Sequence, residues 1–219
     1  MTGEEFVAQL QREIDRILSK LEEVPVAPPG QESHAAIVDL LKFAMKSEIE
    51  ASEIAAFWLP TTPELDVKLG LARQCGDEAK HFWMIQERLK ELGVDASNLN
   101  PIAHGHSRSY QYLRSLHGTV ERLAAGPFAR EAVAYRRNRQ FIAYLEQVGD
   151  EGTARMYRDT VQPDEDFHHL FGVRKLEKYA NTPEAQSRAR EAVQRTLELD
   201  DELRDVFVGR MGTIAIPGC

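Results

Sequence analysis

Two stretches of this chain carry a glutamate followed three residues later by a histidine: Glu78-Ala79-Lys80-His81 and Glu165-Asp166-Phe167-His168. On a helix that spacing puts both side chains on one face. Glutamates also stand where apolar residues are expected. Glu48 falls on the stripe of Ile37, Leu41, Ala44, Ala51 and Ala55, and Glu78 on the stripe of Leu71, Cys75, Phe82 and Ile85. A carboxylate on a buried face is strongly disfavoured unless it is paired, protonated or bound to a metal. Facing residues of an antiparallel helix hairpin are equidistant from its turn. Glu48 and Glu78 are centred on Pro63, at the end of Pro60-Thr61-Thr62-Pro63, although Glu50 and Glu53 are alternatives to Glu48. Its alanine neighbours at 44, 51 and 55 favour Glu48. For Glu165 the matching partner is Glu131, which centres the hairpin beside Gly149-Asp150. Glu121 would put the turn inside the apolar run 141–145, and Glu146 would put it inside the following helix. Four carboxylates and two imidazoles would then share one interior, where desolvation and like-charge repulsion are severe. Two divalent cations would neutralise them, and an oxygen-rich set with imidazole suits iron or manganese better than zinc.

The elements that must position these groups read as helix after helix, with no sustained alternation of β-branched residues. The first is predicted over about 4–24, with Phe6, Leu10, Ile14, Ile17 and Leu21 on one face, and Val26-Ala27-Pro28-Pro29-Gly30 ends it. Helices over about 33–59 and 64–92 form the first hairpin, with Gly93 as a C-cap. After loop composition over 94–108, a helix is predicted over about 109–148. It is interrupted at Gly126-Pro127, where it either kinks or starts afresh. The next covers about 151–179 with Pro163 inside it, and the last covers about 183–208, leaving the tail from Gly209 to Cys219 unassigned.

The arrangement Glu48 … Glu78-Ala79-Lys80-His81 … Glu131 … Glu165-Asp166-Phe167-His168 resembles the ferritin-like di-iron carboxylate superfamily. Locally, Glu48-Ile49-Glu50-Ala51 and Asp164-Glu165 through Phe171-Gly172 are similar to the first and last metal helices of the aldehyde-deformylating oxygenases. Both hairpins are several residues longer here. The resemblance implies an all-α, ferritin-like four-helix bundle over about 33–180 with an additional N-terminal and C-terminal helix, in one domain. It implies two iron ions, with manganese as the alternative, bridged or chelated by Glu78 and Glu165. His81 and His168 would bind one metal each, with Glu48 and Glu131 as terminal ligands.

Composition narrows the partners. Lys+Arg 27 against Asp+Glu 35 gives −8, which argues against a nucleic-acid or anionic-membrane binder. Two cysteines, Cys75 and Cys219, cannot build a disulfide scaffold or a rubredoxin-type site. The acidic start Met1-Thr2-Gly3-Glu4-Glu5 leads no apolar run, and no stretch approaches a membrane span, so a cytoplasmic protein is expected. The expected activity is a di-iron oxidase or oxygenase using dioxygen or peroxide on a small organic substrate. It would draw electrons from an external donor such as a ferredoxin or a flavin reductase, and a homo-oligomer is expected. Iron handling (ferroxidase, storage or peroxide detoxification) and a non-catalytic scaffold subunit are the alternatives. Tyr135, one turn after Glu131, is either a core residue or a redox-active or substrate-facing group. His169 points away from His168, and His104 and His106 read as loop histidines. Arg136, Arg137 and Arg139 read as a solvated face that could instead hold an anionic substrate tail. Asp77 and Asp164 each precede a ligand glutamate and could orient a ligand histidine.

Overall fold

The computed structural model of the protein describes residues 1–22, 34–211 and 215–218. Among them the chain is all-helical, without strands, and runs through seven helices. These are α1 (Gly3–Glu22), α2 (His34–Trp58), α3 (Leu65–Glu91), α4 (Arg108–Ser115), α5 (residues 119–147), α6 (residues 151–179) and α7 (Pro183–Met211).

Turn chemistry sets the two hairpins. Between α2 and α3 the chain makes a single 3₁₀ turn, Leu59–Thr61, and the buried Thr62 hydroxyl donates to the Trp58 carbonyl at 2.9 Å. Between α5 and α6, Gly149 takes a left-handed φ of 81°, which glycine adopts without the steric cost other residues meet. Asp150 then caps α6 by accepting from the Thr153 amide at 3.1 Å. Arg88 of α3 reaches Asp150 at 2.6 Å and Thr153 at 2.8 Å, so the α5–α6 turn is bonded to the first hairpin.

Helix α2 packs along α3, and α5 packs along α6, with α3 against α6 joining the pairs. Helix α1 lies on α5 and α6, while α7 lies on α5, α4 and α1. Two apolar clusters result. One gathers Trp58, Leu71, Phe128 and Phe171 with the buried faces of α1 and α7. The other gathers Leu41, Met45, Ile85, Phe141 and Tyr157. On α2, α3 and α6 the candidate glutamate lies in sequence between the residues that feed these two clusters, whereas on α5 Glu131 is flanked by Ala129 and Ala132 of the first, with Phe141 of the second further along.

The structure departs from the sequence reading in four places. The helix expected over 109–148 is two helices, broken at Leu116–Gly118 rather than at Gly126-Pro127. Through Gly126-Pro127 the chain neither breaks nor restarts. Residues Ala124–Arg130 form a π-helical turn that runs directly into Glu131, whose amide donates to the Gly126 carbonyl. Pro163 is treated alike: Tyr157–Val161 is π-helical and the Gln162 amide donates to the Tyr157 carbonyl. A proline ring clashes with the carbonyl four residues back, and widening the turn to an i→i+5 pattern moves that carbonyl aside. The α1 stripe turns through Leu18, 1% exposed, rather than Ile17, 42% exposed. Helix α7 runs three residues past Val208 to Met211, and Ala215–Gly218 lies buried with the Gly218 amide donating to Asn138 of α5 at 2.8 Å. Val24, the expected break at 26–30, the side chain of Leu21 and Cys219 lie outside the described residues.

Candidate metal centre

Glu48 comes from α2, Glu78 and His81 from α3, Glu131 from α5, and Glu165 and His168 from α6, each at most 1% exposed. The structure brings all six together. Glu48, Glu78, His81 and Glu165 each offer a ligand atom within 4.8 Å of the others, and so do Glu78, Glu131, Glu165 and His168. Glu78 and Glu165 are common to both groups. Neither Glu50 nor Glu53 belongs to them: Glu50 accepts from the amide and hydroxyl of Ser107 at 2.7 and 2.5 Å, and Glu53 approaches His106 at 3.9 Å.

Each histidine is held by an aspartate from the opposite hairpin. His81 Nε2 bonds Asp164 Oδ2 at 3.1 Å, and His168 Nε2 bonds Asp77 Oδ2 at 3.2 Å. This leaves both Nδ1 atoms facing the carboxylates: His81 lies 3.3 Å from Glu48 and from Glu78, and His168 lies 3.4 Å from Glu78 and 3.7 Å from Glu165. Lys80, at 2.5 Å from Asp164 and 3.7 Å from Asp77, and Arg73, at 3.2 Å from Asp77, compensate the aspartates at the half-exposed rim. A carboxylate on the outer nitrogen of an imidazole fixes its orientation and raises its basicity as a ligand.

Among the described residues, seven buried atoms of the six side chains have no hydrogen-bond partner: both oxygens of Glu48 and of Glu165, Glu131 Oε2, and Nδ1 of His81 and His168. Buried polar atoms are normally satisfied, so this concentration in one volume is what a cation would resolve. Electrostatics agree. Burial lifts the Glu48 carboxyl to about 7, against the pull of His81. Burial and then the Glu131 and Glu78 carboxylates push Glu165 well above the usual carboxylate range. Burial acts against the charged form of Glu78 too, but His81 and His168 outweigh it and hold this carboxyl below its ordinary value. Burial alone would lower both histidines, yet Glu48 and Glu78 push His81 up to about 12, and Asp77 and Glu78 push His168 up to about 9. The cluster therefore keeps protons in place of positive charge. These buried Glu and His groups could hold a metal ion.

The remaining sequence candidates fall around the cluster. Tyr135 is half-buried, and its carbonyl accepts from Gln162 at 3.0 Å. His169 bonds the Phe128 carbonyl at 2.8 Å and Gln11 at 3.1 Å, which ties α6 to α5 and α1. His104 is exposed, and His106 stacks on Tyr110 at 3.8 Å. The expected solvated arginine face holds only for Arg139: Arg137 is buried in an ion pair with Asp200 at 2.5 Å, and Arg136 reaches Asp15 at 3.3 Å. Burial under α7 and α1, which the sequence pattern of α5 alone does not contain, accounts for the difference.

Sequence reasoning missed Gln74. It is buried on α3 and donates to Glu131 Oε1 at 2.7 Å. Its place four residues before Glu78 was the available signal, since i and i+4 share a helix face. A cavity of about 480 Å³ also lies between α2, α4, α5, α7 and the tail, lined by Phe43, Ile54, Val133 and Phe207 and by Ser47 and Arg130, which adjoin Glu48 and Glu131. No helix among the described residues is long and apolar enough to cross a membrane. No family model, curated protein or solved structure matches this chain.

Proposed function

We propose that the protein is a di-iron carboxylate oxidase or oxygenase of the ferritin-like kind, acting with dioxygen or peroxide on a small organic substrate. The observation that carries this reading is the set of seven unpartnered donor atoms buried in one volume. Three carboxylates and one imidazole per position suit iron, with manganese as the near alternative. Glu78 and Glu165 would serve both ions, Glu48 and His81 one, and Glu131 and His168 the other. Iron bound there supplies redox chemistry with oxygen species. The chain's own part is to hold the donors through the Asp164–His81 and Asp77–His168 bonds and to exclude water with the apolar clusters on either side.

An organic substrate, rather than iron handling, is favoured by the cavity beside α2 and α5. Its volume falls within the range of small-molecule sites, and apolar atoms make up most of its surface, beside charged groups such as Lys46, Glu50 and Arg108. Electrons would come from an external donor such as a ferredoxin or a flavin reductase. The test is to reconstitute metal-free protein with Fe(II) under anaerobic conditions and then follow oxygen uptake with a chemical reductant across a panel of small apolar compounds. Iron-dependent uptake is expected that some compounds stimulate and that Val133→Trp, which fills the cavity, abolishes while retaining iron. Iron accumulating far beyond the dinuclear complement, with no response to any compound, would favour iron handling instead.

A further inference from the structure

The side chains around the cluster come in matched pairs from the two hairpins: Glu48 with Glu131, Glu78 with Glu165, His81 with His168, and Asp77 with Asp164. The match fails at one position. Four residues before Glu78 stands Gln74, and four before Glu165 stands Val161; both are buried, but only the first is polar. Gln74 Nε2 donates to Glu131 Oε1 at 2.7 Å and lies 3.4 Å from Glu78 Oε1. Arg130 Nη1 approaches the same Glu131 oxygen at 3.9 Å. Glu131 Oε2 has no hydrogen-bond partner, whereas on the other side neither oxygen of Glu48 has one.

Resting on the dinuclear reading, we propose that the two metal positions are unequal by construction, Glu48 serving with both oxygens and Glu131 with one. A chelating carboxylate turns both oxygens to the cation. Glu131 Oε1 already accepts an amide hydrogen, and that hydrogen bond draws electron density from the oxygen. The guanidinium beside it lowers the attraction for a second cation at that position. The position served by Glu131 and His168 would therefore bind its metal more weakly and, with one carboxylate oxygen fewer, leave a place for an outside ligand. Gln74 acts through Glu131 and is a positioning residue.

Titration of metal-free protein with Co(II), followed by calorimetry and by the cobalt d–d absorption, tests this. Wild-type protein takes up one ion and then a second, with affinities about 10–100-fold apart, the magnitude by which groups bonded to a ligand alter metal affinity, here in the weakening direction because Gln74 donates to the ligand oxygen itself. Azide changes the spectrum only once the second ion is bound. In Gln74→Leu the second affinity rises towards the first and the azide response shrinks; Gln74→Met, closer in shape, serves if the leucine variant fails to fold. Two ions of equal affinity in wild-type protein, or an unchanged separation in the variant, would overturn the inequality and leave the dinuclear site standing. Fewer than two ions in wild-type protein would overturn both.

Discussion

At the level of single residues, the centre is a balance between buried charge and bound protons. His81, His168, Glu48 and Glu165 all hold protons more tightly in the folded, metal-free chain than in the unfolded one. A group whose folded value is raised stabilises the fold fully below its unfolded value and loses that contribution as pH climbs through the folded value. For Glu48 the loss runs from the ordinary 4.5 to about 7, and for His168 from 6.5 to about 9. Glu78 works in the opposite sense, but its contribution fades only below its ordinary 4.5. The metal-free protein is therefore expected to lose thermal stability steadily from pH 5 to pH 9. A cation displaces these protons, so the melting difference between metallated and metal-free protein should widen over the same interval. Melting curves at several pH values, with and without metal, check this; a difference that narrows with rising pH contradicts it. The six ligand candidates were legible in the sequence because glutamates interrupt apolar stripes and because hairpin symmetry pairs them. Gln74 was missed although it stands four residues before Glu78, because a glutamine carries no charge that marks its burial.

At the level of elements, the two π-helical turns stand out, since each immediately precedes a helix segment that carries candidate ligands, Glu131–Gln147 or Gln162–Tyr179. Such turns recur at functional sites. Sequence reading marked Gly126-Pro127 and Pro163 as disturbances but offered only a kink or a fresh start. The third outcome depends on tertiary packing. Helix α6 presses its Gly172 against the widened turn of α5, where a Cβ would sit 2.6 Å from the Phe128 nitrogen and the Pro127 carbonyl carbon. Gly172→Ala is accordingly expected to destabilise the fold by about 1–3 kcal/mol, the usual cost of overpacking. Denaturant melts would show it, and an unchanged midpoint would mean that α6 does not press on this turn. Pro127→Ala removes the steric reason for the wide turn one helical turn before Glu131. Metal content should stay while oxygen uptake changes; identical uptake in the variant would reduce the turn to a packing feature.

At the level of the whole molecule, periodicity and breakers revealed both hairpins and the helices other than α4, which the sequence pattern merges with α5, since turns such as Pro60-Thr61-Thr62-Pro63 and Gly149-Asp150 are local. What α1, α7 and the tail cover was not legible, because burial of Arg137 or docking of Gly218 on α5 depends on residues far apart in the chain. Together these helices enclose a charged layer between two apolar clusters, so metal should act as a structural member and not only as a reagent. A ligand that binds only the folded state stabilises it by mass action. Metallated protein should melt higher than metal-free protein, and Glu78→Ala, which removes a carboxylate common to both groups, should abolish the difference. The most direct measurement is elemental analysis of wild-type protein reconstituted with Fe(II), beside Glu78→Ala and Glu131→Ala. The account predicts two irons per chain in the wild type, about 3.5–4 Å apart by X-ray absorption, and a loss in both variants. No bound iron in the wild type, or the same iron content in the variants, would contradict it.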